Sequence, residues 1–173
     1  MTRDRRRTSS TRIRRPFLFF ALLVALMPTF ASASGPSTRF GPPPRSDRDF
    51  QSLRRQGVRR IVDLRTGRRL AGRIEARRAA AYGIQYERLP VGFYPLRRGN
   101  LAAILSRTAQ PDTYIHCHLG RDRAAMVVAI DRVRRLGWSP RAAWDVWKSG
   151  QFNRSLRGLD RAFAAWTRPV GRQ

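Results

Sequence analysis

The sequence predicts an α/β fold: one compact domain with a mostly parallel sheet of four to five strands flanked by helices. Three observations predict it. Short apolar runs of strand length alternate with longer amphipathic or apolar segments along the chain, the pattern that places parallel strands between crossover helices. The length of 173 residues suits a single domain with a real core, and no internal repeat is visible. Finally, the run at 113–116 is separated by only a short loop from a strongly apolar helix that opens at Arg123.

The elements follow in order. Ser46 caps a helix over about 47–56, with Asp49 three residues on and Gly57 as its stop. Val58 to Leu64 (VRRIVDL) reads as a buried strand flanked by charge. A helix over about 70–82 ends at Gly83 and is expected to turn Leu70, Ile74 and Ala81 inward. Ile84 to Leu89 is a second strand, and Pro90 to Arg98 a loop. Gly99-Asn100 precede a helix over 101–108, and Gln110-Pro111-Asp112 turn the chain into a third strand at 113–116. The helix from Arg123 closes at Gly137, Ser139-Pro140 start another that runs to Lys148, and a last amphipathic helix spans about 154–166. Trp138, Trp144, Trp147 and Trp166 fall at helical spacings suited to core or interhelix packing.

The N-terminal 33 residues read as an address. Seven arginines precede the apolar run Phe17 to Met27, Pro28 breaks it, and Ala31-Ser32-Ala33 forms a small-x-small cleavage site. A signal peptide cleaved after Ala33, with a periplasmic or secreted destination, is the expectation. An uncleaved N-terminal anchor is the other reading, and it is the only route by which this chain would meet a membrane through its signal segment. Arg14-Arg15-Pro16-Phe17-Leu18 resembles a twin-arginine signal, although Ile13 departs from the usual hydroxyl residue, so the export route stays open. Residues 34–45, rich in Gly, Pro and Ser, read as a linker or extended arm, which leaves 46–168 as the globular domain.

Composition narrows the chemistry. One cysteine excludes an intramolecular disulfide framework and a Cys-rich zinc module. His116 and His118 flank that cysteine, but no further His or Cys exists to complete a transition-metal site, so neither a metal nor any other cofactor is expected. The formal charge is +25, and the removal of seven arginines and Asp4 with residues 1–33 still leaves about +19. Such a charge suits a phosphorylated, anionic substrate, a nucleic acid or an acidic membrane surface. Export argues against genomic DNA as the partner. The paired arginines, such as Arg54-Arg55 and Arg77-Arg78, are dispersed, as solvated faces are, rather than gathered into one binding stripe.

The informative segment is Tyr114-Ile-His-Cys-His-Leu-Gly-Arg-Asp-Arg123. A strand delivers Cys117 at its carboxyl end, where open α/β sheets bind ligands. A loop curling its N–H groups inward, beside a helix N-terminus, favours an anion and favours the thiolate, the reactive form of cysteine. The guanidinium of Arg123 can grip two phosphoryl oxygens at once. Nucleophile, anion cradle and arginine clamp together specify phosphoryl transfer through a cysteinyl-phosphate.

His116-Cys117-x5-Arg123, with Gly120 within it, resembles the signature of the cysteine-dependent protein tyrosine phosphatase superfamily. The match is closest to its small bacterial dual-specificity-phosphatase-like branch, over roughly residues 40–150. Gly57 to Arg65, Tyr82 to Tyr86 with Leu89-Pro90, and Gly137-Trp138-Ser139 also fall where that branch would have them. The resemblance implies that Cys117 is the nucleophile and Arg123 the phosphate clamp. Backbone N–H groups from His118 through Leu119, Gly120 and Arg121 to Arg123 would cradle the phosphate, and His116 would orient the loop and help keep the thiol ionised. Substrates would be phosphoproteins, phosphoinositides or inositol phosphates, and Phe93 and Tyr94 are candidates for setting pocket depth.

Two departures stand out. Many relatives carry an upstream aspartate as general acid, yet Leu89 to Arg98 holds no carboxylate, which leaves Asp122, in Gly120-Arg121-Asp122-Arg123, as the candidate acid. Ala124 stands where the family usually has Ser or Thr, and Ala125 replaces a common glycine, which implies slow breakdown of the phosphoenzyme. A catalytically weak phosphate binder on the same fold, and a basic binder of anionic polymers or membrane surfaces, are therefore the alternatives. Asp63, beside Arg65, suits a loop-holding role better than that of an acid. Arg121 either steers anions or is one more solvated arginine.

Overall fold

Ile61-Val62 and Tyr114-Ile115 show how a two-residue repeat builds a three-layer domain. Their side chains alternate across the sheet, so Ile61 and Tyr114 pack towards one helical layer while Val62 and Ile115 pack towards the other. The computed structural model describes residues 38–92, 98–150 and 156–168. The expected signal segment, Phe93, Tyr94 and the expected first turn of the last helix lie outside the described residues.

The elements are β1 (Arg39–Gly41), α1 (Asp47–Arg55), β2 (Arg60–Asp63), α2 (Arg69–Ala81), β3 (Gln85–Arg88), α3 (Arg98–Thr108), β4 (Thr113–His116), α4 (Arg123–Leu136), α5 (Pro140–Ser149) and α6 (Arg157–Thr167). The four strands form one all-parallel sheet in the order β1-β4-β2-β3. On one face Phe50, Leu53, Val58, Ile61, Ala79 and Ile84 join α1 and α2 to the sheet. On the other, Val62, Leu64, Ile115 and Cys117 meet Ile104 of α3, Ala124, Met126, Val127, Ala129 and Ile130 of α4, Trp147 of α5, and Leu159 and Phe163 of α6. Register brings the last residues of all four strands, Gly41, His116, Asp63 and Arg88, into one row at the carboxyl edge.

The local signals act as their chemistry dictates. Ser46 and Asp49 form a reciprocal capping box, and Ser139 accepts from the Ala142 N–H with Pro140 in the first turn. Ser46→Ala is expected to lower stability by about 1 kcal/mol, read as a drop in the urea midpoint at unchanged slope.

Three expectations need correction. The inner face of α2 is Gly72, Glu75 and Ala79, while Leu70 and Ile74 are exposed. The helix lies against the sheet through its small residues. A methyl group on Gly72 would already stand 3.0 Å from the Tyr86 hydroxyl and 3.2 Å from Arg88 Cδ, which leaves no room for a leucine face. α3 begins at Arg98, so Gly99 and Asn100 lie inside the helix rather than before it. Within the extended arm, residues 39–41 pair with β4 as an edge strand, tied by Thr38 Oγ1 donating to Thr108 O (2.8 Å) and Arg39 Nη1 to Pro111 O (2.7 Å). Trp147 and Trp166 are buried as packing requires, whereas Trp138 is 37% exposed beneath the Arg132 guanidinium.

Candidate active site

Parallel pairing fixes where β4 ends, and Cys117 is the next residue. It is almost wholly buried, with its side chain on the α4 face of the sheet. The chain then makes a five-residue turn before Arg123 opens α4. His118 and Leu119 are exposed at the turn, Arg121 is half-buried, and Gly120, Asp122 and Arg123 are buried. Gly120 adopts φ +76°, and an added Cβ would lie 2.0 Å from the carbonyl carbon of Gly41 and 2.4 Å from Pro42 N. The loop is therefore pressed backbone to backbone against the end of β1. The Tyr114 hydroxyl holds that segment from beneath by donating to Pro42 O at 2.8 Å.

Arg123 reaches back across the sheet end. Its Nη1 donates to Leu64 O (3.3 Å), directly after β2, and to Val91 O (3.2 Å), in the segment that follows β3. Asp122 stands at the N-cap of α4, but its side chain makes no capping hydrogen bond. Its backbone carbonyl accepts from Met126 N (2.9 Å) and from the indole Nε1 of Trp147 (3.2 Å), so α5 pins the last peptide of the loop. That link was not visible in the sequence, where Trp147 looked like packing alone. The His118 imidazole is held below its ordinary pKa, first by the desolvation of its ring against the loop and then by the positive charges of Arg68, Arg123, Arg65 and Arg45. The loop thus sits in a positive field drawn from three separate stretches of the sequence, at Arg45, at Arg65 with Arg68, and at Arg123.

Behind the loop lies a buried ionic network. His116 is fully buried, with Nε2 2.7 Å from Glu75 Oε1 and Nδ1 3.3 Å from the Cys117 carbonyl oxygen. Glu75 Oε2 is 2.5 Å from Arg65 Nη2. Arg65 grips both oxygens of Asp63 at 2.8 Å through Nε and Nη2, and donates its backbone N–H to Oδ1 as well. The Tyr86 hydroxyl donates to Asp63 Oδ2 at 2.6 Å. Burial would raise the Asp63 pKa, but the Arg65 hydrogen bonds, the His116 charge and the Tyr86 hydroxyl outweigh it and hold the carboxyl below 3.8. Asp63 is thus a loop-holding group, not an acid.

Asp63, Glu75 and His116 gather closely enough to suggest ligands for a cation. Arg65 already stands between the two carboxylates and supplies that charge. Sequence reasoning missed Glu75. Its signal was the one carboxylate in an otherwise arginine- and alanine-rich helix.

No protein-family model matches the sequence, and no curated protein matches it significantly. Solved structures do. Pseudomonas aeruginosa TpbA superposes with a TM-score of 0.58 at 16% identity, covering 70% of this chain and 76% of its own. PTPMT1 gives a TM-score of 0.56 at 19% identity over 74% and 90% of the two chains. The core catalytic domain of SIW14 from Saccharomyces cerevisiae, a PP-IP phosphatase, gives 0.54 at 18% identity over 69% and 77%. The chain has the fold of the cysteine-dependent tyrosine and dual-specificity phosphatases, as its His-Cys-x5-Arg segment implied.

Proposed function

We propose that this chain is an exported phosphatase that hydrolyses phosphomonoesters through a cysteinyl-phosphate on Cys117. One observation carries the reading. The single cysteine sits at the carboxyl end of a central parallel strand, at the base of a loop that closes on Arg123 at the start of α4. In the first step the Cys117 thiolate attacks phosphorus, the P–O bond to the leaving group breaks, and the Asp122 carboxylic acid gives that oxygen its proton. In the second, water attacks phosphorus, the S–P bond breaks, and Asp122 takes the proton of the water. The loop N–H groups and the Arg123 guanidinium, already anchored through Nη1, stabilise charge on the equatorial oxygens.

A phosphorylated, anionic substrate suits the arginines around His118. Similar structures hold such ligands: TpbA was solved with phosphotyrosine and PTPMT1 with PI(5)P. Export rests on residues 1–33 of the sequence. Among the described residues no helix is long and apolar enough to cross a membrane.

The reading is tested by aryl phosphate hydrolysis from about pH 4.5 to 8, the range where carboxylates, histidines and activated thiols titrate. Cys117→Ser is expected to abolish turnover, and Asp122→Asn to remove the rate optimum on the acidic side. Turnover that survives Cys117→Ser would overturn the mechanism. A burst without turnover would point to a cysteinyl-phosphate stalled beside Ala124, and neither burst nor turnover would favour the phosphate-binding alternative. Ala124, fully buried at the head of α4, supplies no hydroxyl to help the sulfur leave.

A further inference from the structure

We propose that Trp147 is a positioning residue for the anion cradle: by donating its indole N–H to the Asp122 carbonyl, it aims the Arg123 backbone N–H into the loop. The inference rests on the reading of the loop after Cys117 as a phosphate site, but its test does not require turnover.

The peptide between Asp122 and Arg123 joins the loop to α4. It is planar and trans, so its carbonyl and its N–H lie on opposite edges, and whatever fixes one fixes the other. The carbonyl points down the helix, where it accepts from Met126 N at 2.9 Å and from Trp147 Nε1 at 3.2 Å. The Arg123 N–H therefore points the other way, out of the helix N-terminus, where the N–H groups of a first turn meet anions. The guanidinium of the same residue is tied to Leu64 O and Val91 O. Side chain and backbone donors of Arg123 are thus both set from outside the loop.

The usual device for fixing such a junction is missing. Asp122 occupies the N-cap with φ −96° and ψ −79°, not in the extended conformation typical of a capping residue, and its side chain makes no capping hydrogen bond. The end of a helix frays when one bond alone holds it. Trp147 supplies the second anchor, and its own freedom is small. It is 2% exposed, with Trp144 edge-on at 5.3 Å, Phe163 at 5.4 Å and the Lys148 ammonium 4.3 Å from the centre of its ring. A donor held this firmly also polarises the peptide, which strengthens the N–H on the far edge as a donor to an oxyanion. An indole that only fills the core would alter stability and leave anion affinity alone.

The experiment measures inorganic phosphate binding to the reduced protein by calorimetry, with proton and nitrogen-15 spectra recorded along the titration. Trp147→Phe keeps a ring in the core and removes the donor. It is expected to bind phosphate about tenfold more weakly, the cost of one weakened bond to a charged group, and to lose most of the downfield shift that phosphate induces in the Arg123 amide proton. A folded Trp147→Phe protein with either the parent's affinity or the parent's Arg123 shift overturns the proposal. Should that variant not fold, the parent protein decides. The chain has four tryptophans, so its indole signals are few enough to assign. The Trp147 signal is expected to move downfield on saturation with phosphate, because both bonds share one polarised peptide, and a signal that stays in place overturns the proposal. A parent that binds phosphate as expected yet hydrolyses no ester would sink the phosphatase reading and leave this one standing. A parent that binds no phosphate sinks both.

Discussion

Gly120→Ala is expected to destabilise the domain by about 3 kcal/mol and to cut phosphomonoester turnover about a hundredfold. Two costs coincide at this position. The backbone sits at φ +76°, where a side chain brings about 1–3 kcal/mol of strain. The added carbon would also overlap the backbone of Gly41 and Pro42, at 2.0–2.4 Å, and a main chain cannot swing aside as a long side chain can. Relief requires either β1 to peel from β4 or the loop to lift away from β1. Lifting moves the N–H groups that are to meet the phosphate, and a displacement of about 1 Å suffices for a hundredfold loss. Gly83→Ala separates the two costs, because Gly83 has φ +65° with nothing within 4 Å of an added carbon. Urea titrations of both variants should show the smaller loss, about 1 kcal/mol, at Gly83 with turnover intact. Equal losses at the two positions would show that the packing against Gly41 is unimportant.

The same contact explains why part of the site could not be read from the sequence. Cys117, Gly120, Asp122 and Arg123 are neighbours in the chain, so their loop was legible from spacing and from the strand and helix on either side. The wall behind Gly120 was not, because Arg39 to Pro42 lie in a stretch whose glycine and prolines signal an arm and whose pairing with β4 is wholly non-local. Glu75 was hidden for a related reason. Periodicity seeks apolar faces, and α2 shows its apolar Leu70 and Ile74 to solvent while it buries a carboxylate for the sake of Arg65 and His116. The α4 helix had no such conflict. Its run from Ala124 to Ile130 is apolar all round and buried except for the partly exposed Ala125, and its predicted limits at Arg123 and Gly137 match the structure. The fold was thus legible wherever burial and hydrophobicity agree. It failed where charge is buried or where an edge strand lacks a pattern of its own.

Arg65→Met should be the most costly change in the ionic network, at about 3–5 kcal/mol, since it strips the shared cation from two buried carboxylates. The pH dependence distinguishes this cause from lost packing. In the parent, Asp63 has a folded pKa below its unfolded value of 3.8, so its contribution is fully present above that value and is lost as pH falls through the folded one. Stability of the parent should therefore decline as pH drops below about 4 and on through the lower, folded pKa. In Arg65→Met the principal opposing interaction is gone, and burial now pushes the Asp63 carboxyl upward. Protonation then relieves the unpaired charge, so the stability gap between parent and variant should narrow as the solution is acidified. Urea midpoints at a series of pH values measure this directly. Adding Asp63→Asn and Glu75→Gln to Arg65→Met should recover part of the loss at neutral pH, because a neutral network avoids the buried charge altogether. A gap that stays constant with pH, and a triple variant no better than the single one, would mean that the Arg65 side chain acts by filling space rather than by its charge.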